Sequence, residues 1–226
     1  MTSIRWLVAY VWPLLIGGPS VPHRAAPAES FRGSAAPPAA RSDRLPDSDE
    51  VGLALSAGPR PLTTGAAVYL WRDGRFTKVR TGTTGFACMV SRDARASGVF
   101  PMCFDPEGAR TLMHEEMMKT QLRAQGSSNA AVVSEVAAAY RHGSLHHPEK
   151  PAIIYMMSSR QVLVDYDGET TQRVGAWHPH VMIYLPHASA SQLALGPADA
   201  AVPLSTADSD GGVLLVVQVP HWADVP

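Results

Sequence analysis

Apolar and polar positions alternate with strand-like period in two parts of the chain, on either side of a block with helical period. Residues 66–71 and 75–80 flank Asp73-Gly74, a dipeptide suited to the positive φ angles of a tight hairpin turn. After Gly82-Thr83-Thr84-Gly85 the run 86–91 places Phe86, Cys88 and Val90 on one face, giving three strands most simply joined as an antiparallel meander. Asp105, Pro106 and Glu107 then form a helix start: an N-cap oxygen, a proline where no N–H is needed, and a charge matched to the dipole. Helical spacing of Ala109, Leu112, Met113 and Met117 predicts one helix to Gln125, stopped by Gly126. Ser127 or Ser128 caps a second helix with Val133, Val136 and Tyr140 in its stripe, ended by Gly143; the short joint predicts a helical hairpin. Strand pattern resumes over 152–157, 161–166, 170–174, 175–186 and 213–219, with a helical turn over 189–193 and a loop over 195–212. The last run is nearly all apolar, as a central strand would be. The expected fold is therefore α+β: a single, mostly antiparallel β-sheet with the helical hairpin packed on one face.

The first 46 residues read differently. Arg5, the apolar run Trp6 to Ile16 and the small residues Gly17, Gly18 and Ser20 form a signal-peptide pattern over 1–20. As a helix that run rises about 16 Å, short of the roughly 30 Å hydrocarbon core, so no stable membrane span is expected after signal removal. Residues 21–46, rich in Pro, Ala, Arg and Ser, cannot offset their ordering entropy by burial and read as a disordered linker. The folded domain is expected over 47–226, opening with a helix to about residue 57 in which Asp47 is the N-cap and Glu50 the reciprocal partner.

Composition narrows the function classes. With 46% apolar and 17% charged residues a proper core is available, and a formal net charge of −1 carries no footprint for nucleic acid. Export would place Cys88 and Cys103, the two cysteines, in an oxidising compartment, where they would form a disulfide; two inert thiols, or a nucleophile or metal ligand, are the competing readings.

Chemistry concentrates in Trp177-His178-Pro179-His180 and the strand that follows. In extended backbone His178, His180, Met182 and Tyr184 share one face, and His221 follows the last strand with the parity of Val217 and Val219. If those strands are neighbours, His178, His180 and His221 would act as catalytic acid–base groups, or hold a transition metal such as zinc. The bland alternative is that each imidazole plugs the core or bonds to backbone. His114-Glu115-Glu116-Met117-Met118 lacks the second histidine of a zinc protease, and its charges read as a solvated helix face. His142, His146 and His147 cluster after the second helix and would bind metal only weakly. No nucleophile elbow, P-loop or dinucleotide fingerprint occurs, and Ser158-Ser159 lacks the lysine of a serine–lysine pair.

Gly85-Phe86-Ala87-Cys88-Met89-Val90, Cys103-Phe104-Asp105-Pro106, Tyr155-Met156-Met157-Ser158, Trp177-His178-Pro179-His180 through Pro186, and Pro220-His221-Trp222 together resemble a group of uncharacterised exported bacterial proteins. The resemblance implies export and a common fold, and supplies no catalytic residue. The expectation is an exported protein, periplasmic or extracellular, serving as a binding or accessory module for a small molecule or protein. The alternative is a hydrolase or metal-binding protein using the three histidines.

Overall fold

Asp73 and Gly74 take φ of 48° and 80°, the left-handed pair that a two-residue hairpin turn requires. They join β1 (Ala67–Arg72) to β2 (Arg75–Arg80) in antiparallel register, with Arg72 opposite Arg75. The computed structural model describes residues 46–93, 98–165, 172–175, 178–189, 192–193, 204–207 and 212–225, so the signal and most of the linker expected at the N-terminus lie outside the described residues. The other elements are α1 (Asp47–Leu55), α2 (Arg60–Thr63), β3 (Ala87–Asp93), β4 (Gly98–Phe104), α3 (Pro106–Arg110), α4 (Leu112–Ala124), α5 (Asn129–Arg141), β5 (Ala152–Met156), β6 (Leu163–Asp165), β7 (Gln172–Gly175), β8 (His180–Leu185), β9 (Leu204–Ala207) and β10 (Val213–Gln218).

One sheet has the order β2-β1-β3-β4-β5-β8-β10-β9, and β6 pairs with β7 apart from it. The fold is α+β and the sheet mostly antiparallel, as expected. The meander is corrected at one joint: β3 pairs with β1, in parallel, and not with β2. The burial of the two strands gives the reason. β2 is largely exposed and suits an edge, whereas β3 is buried on both faces and needs cover on each.

The central strand absent from the sequence pattern is β4, which runs against all of β3, from Ala87↔Phe104 to Asp93↔Gly98. Pro101 hides it, since proline argues against a central strand. Here the missing N–H costs no ladder bond. Val99 exchanges both backbone bonds with Val162, at 2.9 and 2.8 Å, so the imino nitrogen two residues on faces that same side. On that side β5 meets β4 only at Cys103 and Phe104. The same alternation turns the Cys103 N–H away from β3. Cys88 and Cys103 therefore oppose each other as a non-hydrogen-bonded pair, the closer kind, with Cα atoms 4.1 Å apart and a disulfide between them. Both are fully buried.

Alternation along β3 sends Cys88 and Val90 to one face and Ala87 and Met89 to the other. Leu53 and Ala54 of α1 cover the first; Leu112 and Met113 of α4 cover the second, with Phe104, Ile154 and Tyr184. Helix α4 touches β3 and β2, while α5 packs on α4 through Val132, Val136 and Ala139 against Met118 and Leu122. Polar ties fix both docked helices. Glu50, inside the core, pairs with Arg92 at 2.6 Å rather than closing a capping box, and Pro46 takes the N-cap position expected of Asp47. On the other face the Thr120 hydroxyl donates to the Glu116 carbonyl, so Ser91 donates to Thr120 across 2.6 Å.

The single helix expected over 106–125 is two. Asp105 caps α3, accepting from Gly108 N at 2.8 Å and from Ile153 N at 3.1 Å, which ties that turn to β5. Thr111 (φ −128°, ψ −83°) then breaks the helix and redirects α4 along β3. Ser128 caps α5, and Gly126 and Gly143 adopt the positive φ of helix ends. The last strand is next to the edge, covered by β9, which falls in the stretch read as loop.

The bridge closes a span of 15 residues. Replacing Cys88 and Cys103 together by alanine should lower unfolding free energy by about 3 kcal/mol in urea titrations. An unchanged midpoint and slope would contradict the bond.

Candidate functional site

β8 lies between β5 and β10, with His180 opposite both Met156 and Gln218. The supposition that the last strand neighbours the histidine strand holds, and the ladder continues outward: Val219 N donates to the Pro179 carbonyl at 2.9 Å. His178 and His221 both follow just beyond this end of the ladder. Their side chains do not share one environment. His180 is buried, whereas His178 and His221 are exposed. The His180 ring faces its own backbone, Nδ1 lying 2.9 Å from the His178 carbonyl oxygen, which also accepts from Gln161 Nε2 at 3.2 Å. A carbonyl only accepts, so Nδ1 carries the proton. Burial pushes the His180 pKa below its ordinary value, against a smaller opposing effect of that hydrogen bond. Among the described residues no group of three or more His, Cys, Asp or Glu side chains is placed to hold a metal ion. Trp177 lies outside the described residues.

A second polar concentration sits where β5 ends. Met157 N donates to the Ala57 carbonyl at 2.9 Å and its own carbonyl accepts from Ala223 N at 2.8 Å, so this residue stitches the end of α1 to the C-terminal segment. Ser158 follows, fully buried. Its hydroxyl lies 2.6 Å from that of Ser56 and donates to Asp224 Oδ2 at 3.2 Å. Asp224 also accepts from Ser159 N at 2.8 Å and Ser159 Oγ at 3.2 Å, with Arg160 Nε 3.8 Å away. Beside this chain of hydroxyls opens a cleft of about 630 Å³, bordered by Ser56, Arg60, Thr63, Thr64, Arg80 and Asp224. α1 and α2 supply one wall, the end of β2 a second, and the segment held by Asp224 a third.

Sequence reasoning missed this cleft. The local sequence offers Ser158 no lysine partner, and its partners in the fold, Ser56 and Asp224, come from opposite ends of the domain. Proline and glycine around Arg60 signal a loop and nothing more.

The charges of the His114–Met118 stretch are corrected as well. Glu115 and Glu116 are mostly buried rather than solvated, and both pair with Lys119. Burial alone would push the Lys119 pKa down, but the two carboxylates reverse this and hold it well above its ordinary value. Tyr140 donates to Glu115 at 2.6 Å and stacks on His147 with ring centroids 3.8 Å apart. The cluster fastens α5 to α4, while His114, His142 and His146 are exposed.

No family model, no curated protein and no solved structure matches the chain.

The lowered pKa of His180 has a defined consequence for stability. As pH falls through about 6.5 the unfolded chain takes up a proton there, while the folded chain does so only at lower pH. The contribution of His180 is complete above that pH and declines below it. Between pH 7.5 and 5.0 the urea midpoint should fall less for His180→Asn than for the unsubstituted protein. Equal falls would contradict the buried, neutral imidazole.

Proposed function

We propose that this protein is an exported binding module, periplasmic or extracellular, whose ligand occupies the cleft between α1, α2 and the C-terminal segment. The cleft itself carries the reading: its volume of about 630 Å³ lies in the range of about 300 to 1,000 Å³ typical of small-molecule sites. Hydroxyl, guanidinium and carboxylate groups on its walls would orient a polar ligand. Export is supported by the buried disulfide, which suits an oxidising compartment, and by the signal-like pattern of residues 1–20. The likeness to exported bacterial proteins in the Gly85–Val90 and Trp177–Pro186 stretches supports it further. Among the described residues no helix is long and apolar enough to cross a membrane. A hydrolase or metal site at His178, His180 and His221 has less support, because the first and last are exposed while the middle ring is turned to its own backbone.

Gly52 borders the cleft, and a Cβ added there meets no atom within 4 Å, so a bulky side chain such as tryptophan has room at its root and is expected to obstruct the cleft. The full chain, expressed in a Gram-negative host, should be recovered from the periplasmic fraction. Ligand-observed NMR with a mixed library of neutral, cationic and anionic small molecules should then give binders that Gly52→Trp abolishes. Recovery from the cytoplasm alone would overturn export. Binders indifferent to the substitution, or none, would overturn the cleft as the ligand site.

A further inference from the structure

Five arginines of the described residues pair with carboxylates: Arg72 with Asp47, Arg92 with Glu50, Arg110 with Glu107, Arg123 with Asp93 and Arg160 with Asp224. The two that border the cleft have no carboxylate partner among the described residues, a condition they share with Arg75 and Arg141 away from it. Among the described residues Arg60 has no side-chain partner, and Arg80 donates one hydrogen bond, from Nη2 to the Thr64 carbonyl. A guanidinium has five N–H donors in a planar fork. Most of the donors of both residues are therefore open to whatever occupies the cleft. The carboxylate bordering the same space does not neutralise them, since Asp224 is engaged by Arg160 and by the hydroxyls and backbone of Ser158 and Ser159. The whole chain is close to neutral, with formal net charge −1, so this pair is a local feature and not part of a basic surface.

We propose that the cleft selects an oxyanion, the carboxylate or phosphate group of a small soluble molecule, bound by the guanidinium groups of Arg60 and Arg80. The proposal rests on the cleft being the ligand site. Planar forks match the two oxygens of a carboxylate or phosphate, and charge-assisted bonds of this kind are stronger than those between neutral groups. The bond from Arg80 to Thr64 joins the end of β2 to the end of α2, the helix that carries Arg60. That link ties the wall carrying Arg80 to the wall carrying Arg60 before any ligand arrives.

Calorimetric titration at low ionic strength tests this with inorganic phosphate, succinate and phosphatidylglycerol vesicles, against glycerol and putrescine as neutral and cationic controls. The full-length protein is compared with Arg60→Gln, Arg80→Gln and Gly52→Trp. Arg60 makes no side-chain bond that the fold would lose, so Arg60→Gln remains informative even if Arg80→Gln proves unstable. Phosphate or succinate should bind in preference to both controls, each Arg→Gln should weaken binding at least tenfold, and Gly52→Trp should abolish it. Absence of binding by either soluble anion at millimolar concentration would overturn the proposal. So would affinities unchanged in Arg60→Gln. Binding of the vesicles without the soluble anions would put the same oxyanion on a lipid surface and overturn the soluble ligand. If glycerol or putrescine bind, and Gly52→Trp alone blocks them, the cleft stands while its preference for anions falls. If Gly52→Trp leaves anion binding intact, the cleft itself is not the site.

Discussion

Pairing of β3 with β4 is the constraint on which the other elements depend. Each strand is buried along nearly its whole length, so each must be covered on two faces and at two edges. The four neighbours follow from that need: β1 on the open edge of β3, β5 beyond β4, α1 over the disulfide face and α4 over the other. Isolated ladders of this length are marginal in water, and the covalent link at Cys88 and Cys103 removes the slipped registers open to the unfolded chain. A slip of β4 by one residue against β3 would turn Met102 toward α1 while Met89 stayed toward α4, mixing the two cores. The bond thus fixes which helix meets which face.

The cleft inherits its position from the same pair. Docking of α1 on the disulfide face puts Ser56 and Ala57 beside the end of β5, where Met157 and Ser158 leave the sheet. Asp224 then gathers Ser158, Ser159 and Arg160, and the C-terminal segment becomes a wall. The buried hydroxyl of Ser158 is tolerated here because Ser56 and Asp224 partner it, whereas an unpaired polar group at that depth would be costly. The fold therefore holds rigid the groups on one side of the cleft and leaves Arg60 and Arg80 with donors to spare.

Local signals were legible in the sequence wherever the chemistry is local. The Asp73-Gly74 turn, the Asp105 and Ser128 caps and the glycine stops all follow from residues a few positions apart. What escaped depends on contacts between distant segments. Pro101 disguised the central strand because only the tertiary arrangement removes the ladder bond it would have broken. Thr111 breaks a helix whose apolar spacing is unbroken, because α3 answers to β5 and α4 to β3. Parity placed His178 and His180 on one face, yet the strand starts only at His180, so one ring is buried and the other exposed. Ser56, Arg60, Arg80, Ser158 and Asp224 carry no common motif, and their convergence is a property of the fold alone.

Hydrogen exchange followed by NMR measures most directly whether the disulfide-linked strand pair is the foundation of the molecule. Amides near the covalent link that donate within the sheet, in β3 and β4, should exchange only through global unfolding, and those of β2 and β9 at the sheet edges far sooner. If the slowest amides belonged to α5 instead, or if β3 and β4 exchanged as fast as the edges, the central pair would not organise this fold.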